Sequence, residues 1–262
     1  MPSLNLYTLG CMKDAVLDSA TTEAAGFPKE YAYDWNPDTF WLPTSHAAHQ
    51  YLTYDFQAVT AVDAFGIYIK NPATPTSGDF IVESCDDDAS YAAVTGASIL
   101  VSGFSAGTYV YVDDFTSQTS NRYFRLRCNS TLDELPYLAA VMFFRKRTIT
   151  LSQLLPWNPT TQYYNTAVTM PGGRMLVQGN NSTASAIEPR RYGIANTDYT
   201  ALANAFADSR GRLYPLVSDD GTNVRFCRFA SDSLARNEVE YQYYQPTFTL
   251  NEIPYIPEGE NF

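Results

Sequence analysis

Short stretches in which apolar and polar residues alternate recur along the chain, and this two-residue period most constrains the fold. Clear examples are residues 50–56, 79–84 and 123–128, with turn-rich segments such as residues 71–78 (NPATPTSG) between them. Successive side chains of a β-strand point to opposite faces of a sheet, so the alternation predicts strands with one buried and one exposed face. Many short strands joined by turns predict an antiparallel sandwich. We therefore expect an all-β chain.

The composition also favours strands. The 262 residues include 20 Tyr and 15 Phe, and aromatic residues suit the pleated, half-buried surface of a sheet. Charged residues make up 17% of the chain, below the ~25% of an average soluble protein. Because tyrosine is enriched and charge depleted where proteins meet, we expect neighbouring subunits to cover much of the surface.

Charge and hydropathy exclude several classes of partner. A formal net charge of −11 repels both a nucleic-acid backbone and an anionic membrane, so we predict neither as a partner. No apolar run approaches the ~20 residues of a membrane span, so we predict no membrane insertion. The opening residues, Met-Pro-Ser-Leu-Asn, lack the basic and apolar regions of a signal peptide. We expect a protein that is not exported by the usual route.

The residues that most often hold metals are few and scattered. His46 and His49 are the only histidines, and the sequence offers no third and fourth ligand beside them. No C-x-x-C pair is present, and we interpret the cysteines as free, mostly buried thiols of a protein made in the cytoplasm. These are Cys11, Cys85, Cys128 and Cys227. We predict no metal and no cofactor.

The chain divides near residue 148. Residues 148–159 (TITLSQLLPWNP) carry two prolines and are typical of a linker. Residues 1–147 hold 9 Lys/Arg and 17 Asp/Glu, a net charge of −8, whereas residues 148–262 hold 8 Arg and 11 Asp/Glu, a net charge of −3. The second part contains no lysine, which is a mild sign of an interface. We predict two domains, 1–147 and 148–262.

The second domain is also predicted to consist mainly of strands, as a β-sandwich or barrel, with one short helix. Its candidate strands are residues 166–170, 174–178, 214–218, 223–230 and 238–250. Residues 198–208 fit a helix, because Asp198 can cap it and Leu202 and Phe206 lie four residues apart on one face.

Four motifs of the first domain together resemble the discoidin or galactose-binding-like jelly roll. In order they are residues 34–41 (DWNPDTFW), 50–56 (QYLTYDF), 80–88 (FIVESCDDD) and 121–126 (NRYFRL). The resemblance covers about residues 20–146 and implies a sandwich whose loops at one end bind sugars. On this basis the candidate ligand-binding residues are Trp35, Asn36, Asp38, Trp41 and His46.

Alternatives remain open for several of these residues. Trp35 and Trp41 flank a Pro-containing loop, where the jelly-roll family often buries one aromatic ring, so core or interface positions compete with a sugar platform. Some members of the family carry a structural Ca²⁺ near the first acidic loop. Asp34 and Asp38 have the oxygen ligands for it, but solvated or capping roles explain them as well.

The C-terminal part resembles the tail and baseplate hub proteins of tailed bacteriophages. The segments that carry the likeness are residues 172–174 (GGR), 188–192 (EPRRY), 211–221 (GRLYPLVSDDG) and 248–254 (FTLNEIP). The resemblance covers about residues 148–256 and implies a structural component of a phage tail tip or baseplate. Such a protein is assembled in the host cytoplasm and located in the virion.

That resemblance also implies partners. The C-terminal domain would form a ring with other copies of itself and contact other tail or baseplate proteins. The sandwich would face outward, where it decorates the tail, holds fibres or touches host surface glycan. Arginine binds carboxylates with two parallel hydrogen bonds, so we assign the assembly interface to Arg174, Arg190, Arg191, Arg210 and Arg212. The alternative function is a glycan-binding module that uses the loops around residues 35–49.

The sequence does not favour an enzyme. It contains no H-E-x-x-H, Walker-type or G-x-G-x-x-G motif. The acidic clusters at residues 86–88 and 219–220 lie in turn contexts, where solvated carboxylates that bond to their own backbone are the simpler explanation. We predict no catalytic residues.

Overall fold

The computed structural model describes most of the first domain and parts of the second. The described residues are 3–34, 39–71, 77–100, 107–150, 158–169, 175–188, 194–209, 216–219, 224–230, 233–240, 243–247 and 250–252. Strands dominate these residues, and the α-helix among them is short. The prediction of a mostly β protein is confirmed.

The chain divides into two compact units. One is built on Tyr7–Arg147, and the other combines the N-terminal residues up to Leu6 with Thr148–Tyr255. The sequence predicts that residues 1–147 form a single domain, whereas the N-terminal residues up to Leu6 group with the second unit. Whether either part folds independently stays a prediction.

The first unit is an antiparallel sheet structure. Its strands are β1 (Ser3–Thr8, shared with the N-terminal residues of the other unit), β2 (Val16–Ala20), β3 (Tyr51–Asn71), β4 (Asp79–Cys85), β5 (Ala92–Leu100), β6 (Gly107–Cys128) and β7 (Leu138–Thr150). Five of them follow the order β5-β4-β6-β3-β7, and β2 pairs with β3. Short 3-10 helices occupy Leu9–Met12 and Lys29–Ala32.

Strands β3 and β6 are long, and their pairing runs from Tyr51 opposite Arg127 to Asn71 opposite Gly107 with two register shifts. A register shift between Asp55 and Thr60 lets the ladder bend. The composition of residues 116–121 (TSQTSN) predicts a turn between two strands. That interpretation is wrong, because these residues continue β6 through the bend.

The core of this unit is aromatic. Phe143 of β7 packs against Tyr54 and Phe56 of β3, with ring centroids 5.5 and 5.7 Å away, and against Phe124 of β6 at 5.6 Å. All four side chains are buried. Strand β7 pairs with residues 64–69 of β3. Its Phe143 also packs over the first half of β3 and the second half of β6, as a residue of the second layer of a sandwich does.

Two loops meet at the end of the sandwich where β3 begins and β6 ends. Residues 39–50, here called the His46 loop, lead into β3. Residues 129–137, the Asn129 loop, connect β6 to β7. The amide of Leu132 donates to the carbonyl oxygen of His46 at 2.9 Å, which joins the two loops.

The described parts of the second unit are strands and one helix. They are β8 (Asn158–Thr169), β9 (Met175–Glu188), β10 (Ile194–Ala195), α1 (Asn196–Asp208), β11 (Leu216–Asp219), β12 (Val224–Phe229), β13 (Ala235–Glu240), β14 (Tyr243–Thr247) and β15 (Leu250–Glu252). The predicted helix at 198–208 is confirmed. Leu202 and Ala205 of α1 are buried with Leu216, Phe229 and Leu250 in one apolar cluster.

Candidate functional site

Most residues that the sequence singled out lie outside the described part of the chain. Among the ligand-binding candidates, this applies to Trp35, Asn36 and Asp38. It also applies to the whole predicted assembly interface, Arg174, Arg190, Arg191, Arg210 and Arg212. Those assignments remain predictions. Trp41 and His46 are described.

Trp41 is a core residue at the base of the His46 loop. Its side chain is 1% exposed, and its indole Nε1 donates to the carbonyl oxygen of Thr22 at 3.1 Å. Its backbone forms a bridge with Leu138 at the start of β7. A buried ring whose only polar atom is hydrogen-bonded within the protein stabilises the base of the His46 loop. A ligand has no access to it.

His46 is exposed and has a fixed orientation. Its Nδ1 lies 2.6 Å from the carbonyl oxygen of Leu132, the residue whose amide bonds back to the His46 carbonyl at 2.9 Å. The two contacts hold the imidazole against the Asn129 loop. The ring is exposed, and its other nitrogen, Nε2, is the polar atom that it can offer to a ligand.

Arg127 is the centre of a polar network that the sequence analysis missed. It lies in β6, directly opposite Tyr51, and its guanidinium forms an ion pair with Glu83 at 3.0 Å. Its NH1 lies 2.7 Å from Nδ1 of His49, and its NH2 donates to Oδ1 of Asn129 at 3.1 Å. Because Glu83 is buried, it holds the guanidinium firmly, and the guanidinium in turn orients two exposed side chains.

Asp79, at the start of β4, secures the beginning of the Asn129 loop. Its Oδ2 accepts from Nδ2 of Asn129 at 2.9 Å, and its Oδ1 accepts from Oγ of Ser130 at 2.6 Å. Burial, followed by the nearby Asp79 carboxylate, raises the pKa of Cys128 to about 12. That thiol stays protonated at neutral pH and serves as packing.

A stack of three aromatic rings joins the same two loops to Phe27. Phe40 of the His46 loop is stacked on Phe27, with ring centroids 4.8 Å apart, and on Tyr137 of the Asn129 loop, with centroids 4.6 Å apart. The planes of Phe40 and Tyr137 differ by 3°. All three side chains are partly exposed. Flat apolar faces thus occur on the loops that also carry the polar network.

Arg125 lies two residues before Arg127 in β6, on the same face of the sheet. Its Nε donates to Oε2 of Glu83 at 2.6 Å, and its guanidinium carbon lies 3.8 Å from the ring centroid of Tyr91 and 4.9 Å from that of Tyr51. These contacts are cation–π interactions. Because both arginines bind the buried carboxylate of Glu83, this residue links Arg125 and its aromatic contacts to the network of Arg127.

The sequence did contain a signal for this network. Residues 123, 125 and 127 alternate with the buried Phe124 and Leu126 in NRYFRLRC. The period of two places Arg125 and Arg127 on one outer face. Nothing in the sequence near them identifies Glu83 or His49 as their partners, because those contacts join residues 42 and 78 positions apart.

No group of three or more His, Cys, Asp or Glu residues in the described ranges is arranged to hold a metal ion. Asp34, one of the calcium candidates, accepts a hydrogen bond from Oγ1 of Thr39 at 2.6 Å. None of the described helices has the length and apolar character needed to cross a membrane.

Residues 103–107 (GFSAG) fit the G-x-S-x-G spacing of a hydrolase nucleophile, which corrects the expectation that the sequence carries none of the usual catalytic motifs. That motif functions at a sharp turn from a strand into a helix. Here Gly107 begins strand β6 instead, and residues 103–106 lie outside the described part of the chain. The motif is therefore followed by a strand, whereas a G-x-S-x-G nucleophile is followed by a helix.

Solved structures with a similar fold include two binding modules. The family 32 carbohydrate-binding module of NanJ from Clostridium perfringens, in complex with galactose, is 15% identical, covers 54% of this chain and 99% of that chain, and gives a TM-score of 0.43. Chitosan-binding module 1 from a chitosanase/glucanase of Paenibacillus sp. IK-5 is 15% identical, covers 53% and 98%, and gives a TM-score of 0.40.

The similarity to a protein family lies in the sequence of the first unit. No curated protein sequence is significantly similar to the chain. Residues 18–140, from within β2 to the beginning of β7, match the family described as F5/8 type C domain. This range contains the four motifs on which the discoidin resemblance rested. Residues 18–140 of the chain are therefore similar to F5/8 type C domains, and they have the discoidin-like, galactose-binding-like β-sandwich fold.

Proposed function

We propose that the F5/8 type C-like domain binds glycans through the surface that the His46 loop and the Asn129 loop form together. The observation that supports this most is that both loops carry partly exposed stacked rings and exposed polar side chains that Arg127 holds in place. The proposal corresponds to the alternative function in the sequence analysis, and it is non-catalytic.

The chemistry of the surface suits a sugar. A pyranose offers an apolar C–H face and several hydroxyl groups around its edge, so it needs flat apolar contacts and directional hydrogen bonds at the same site. The ring of Tyr137, which Phe40 supports from one side, provides the first. His46, His49 and Asn129 provide the second. Because Leu132 already fixes His46, and Arg127 and Asp79 fix His49 and Asn129, little conformational entropy would be lost on binding.

Titration calorimetry with the full chain tests the proposal. Galactose is the first ligand to try, since one of the similar modules was solved with it, and a wider set of glycans follows. Asn129→Ala and Tyr137→Leu should each weaken binding about tenfold or more. Val59→Ala is the control, because Val59 is 64% exposed in the bend of β3 and belongs to neither loop. Absence of binding to every glycan in a broad set would refute the proposal.

A second candidate is the tail-tip function. It rests on the sequence of residues 148–256 and on the lysine-free composition of residues 148–262; neither the family match nor the similar structures concern a tail protein. Native mass spectrometry of the purified chain tests it. A closed ring with a fixed number of copies would support a tail component, and a monomer at all concentrations would contradict it.

A further inference from the structure

The two histidines of the His46 loop are held by partners of opposite chemistry. Nδ1 of His46 lies 2.6 Å from the carbonyl oxygen of Leu132, whereas Nδ1 of His49 lies 2.7 Å from NH1 of Arg127. A carbonyl oxygen only accepts hydrogen bonds, and a guanidinium only donates them. Nδ1 of His46 must therefore carry a proton, and Nδ1 of His49 must offer its lone pair.

These partners determine what each ring presents to solvent. A neutral imidazole carries one proton, so the role of one nitrogen fixes the role of the other. His46 presents a bare Nε2, which accepts a hydrogen bond, and His49 presents Nε2–H, which donates one. Both side chains are exposed, and within the described ranges neither Nε2 has a hydrogen-bond partner.

The protein holds both rings in these roles. The His49 amide donates to the carbonyl oxygen of Cys128 at 2.8 Å, and His49 has a φ of 71°. A non-glycine residue keeps this left-handed conformation where the surrounding contacts enforce it. Arg127 is in turn fixed by Glu83, at 3.0 Å. Exchange of either tautomer would break a contact with the protein.

We propose that His46 and His49 act as a mixed acceptor and donor pair that selects uncharged glycans. This inference rests on the proposed function and specifies its ligand class. A sugar hydroxyl both donates and accepts, so hydroxyl groups satisfy both nitrogens. A carboxylate, sulfate or phosphate only accepts, so it would suit His49 and be repelled by the lone pair of His46. The net charge of −11 adds long-range repulsion of anions.

The tautomers can be measured without any ligand. In ¹⁵N-labelled protein at about pH 8.5, where imidazole is neutral, the ¹⁵N shifts distinguish a protonated from a bare ring nitrogen. We expect the proton on Nδ1 in His46 and on Nε2 in His49, with the two rings assigned from single variants. The same tautomer in both rings would overturn the pair.

Two asparagine variants separate the ligand contact from the structural one. In His46→Asn the side-chain amide can still donate to Leu132, and in His49→Asn the side-chain oxygen can still accept from Arg127, but both variants lose Nε2. Asparagine also tolerates the positive φ at position 49. Both variants should keep the wild-type melting temperature and bind methyl β-galactoside about tenfold more weakly. Val59→Ala should bind like the wild type.

The charged counterpart of the same sugar tests the ligand class. Methyl β-galacturonoside has a carboxylate in place of the C6 hydroxymethyl group, and we expect it to bind at least about tenfold more weakly than the galactoside. If it binds equally well, or if both asparagine variants bind like the wild type, the proposed function stands and this inference fails. If no glycan binds, the proposed function and the ligand class both fail, and only the tautomer assignment remains.

Discussion

Arg122 binds Asp55 with two parallel hydrogen bonds across the β3–β6 ladder. Its Nε donates to Oδ1 at 2.8 Å and its NH2 donates to Oδ2 at 2.7 Å. Asp55 is buried, and its Oδ1 also accepts from the amide of Gln57, at 2.7 Å, where β3 bends. The pair therefore joins the two longest strands at the bend, and charge-assisted bonds of this geometry are among the strongest in proteins.

This pair makes stability depend on pH. The hydrogen bonds from Arg122 hold the pKa of Asp55 below its usual value. A carboxyl whose pKa is lower in the folded state contributes stability at pH values above its unfolded pKa, and that contribution disappears as the pH falls through the folded pKa. Asp55→Asn should therefore lower the melting temperature at pH 7, and the difference from the wild type should shrink in acid.

Thermal unfolding monitored by circular dichroism between about pH 7 and pH 2.5 measures this. Asp14→Asn is the control, because Asp14 is 74% exposed and its contact with Lys13 is 4.0 Å long. An exposed pair of that kind contributes little. A constant difference between Asp55→Asn and the wild type over the whole pH range would show that the carboxylate charge is not what stabilises the bend.

The sequence predicted the local features of this arrangement, but not the contacts between residues that are far apart in the chain. The alternation in residues 50–56 and 123–128 predicted strands, which the structure confirms, because side-chain alternation is a local property. The bend was not predictable in the same way. Residues 116–121 have turn-forming composition, but Thr119 and Ser120 pair with β3, and long-range pairing overrides local preference.

The candidate site shows the same limit. His46 was predicted from its loop, and the structure describes it as exposed and oriented. Trp41 was also a ligand candidate, but the core covers it. Arg127 and Asp79 were missed, since the contacts that give them a role join different strands and loops.

Trp41 is expected to be important for stability. Its side chain is 1% exposed, so Trp41→Ala would leave a large cavity at the base of the His46 loop and lower the free energy of unfolding by about 3–5 kcal/mol. Urea denaturation measures the change, and Val59→Ala should stay within about 0.5 kcal/mol of the wild type. A cost below about 1 kcal/mol for Trp41→Ala would contradict its position in the core.

Two glycines provide a matched comparison of backbone strain and steric conflict. Gly26 and Gly96 have φ angles of 86° and 82°, so Ala is strained by a similar amount at both. A Cβ at Gly26 would meet open space, whereas a Cβ at Gly96 would lie 2.8 Å from the backbone nitrogen of Thr116. We expect Gly26→Ala to cost about 1 kcal/mol and Gly96→Ala to cost more. Equal effects in urea denaturation would indicate that the β5–β6 contact is looser than described.

The last prediction concerns the residue at which the first domain begins. Leu4 and Leu6 are 1% and 0% exposed and belong to the apolar cluster that contains Leu202 and Leu216 of the second unit. In a fragment of residues 1–147 those two leucines would lose these partners, and exposed leucines in an unpaired segment favour aggregation.

A fragment of residues 7–147 should therefore be more soluble than one of residues 1–147 and should unfold cooperatively with a β-type circular dichroism spectrum. The substitution Leu4→Ser together with Leu6→Ser in the longer fragment should restore its solubility. If both fragments are equally soluble and equally stable, the first six residues do not depend on the second unit. If neither fragment folds, the two parts of the chain are not independent domains.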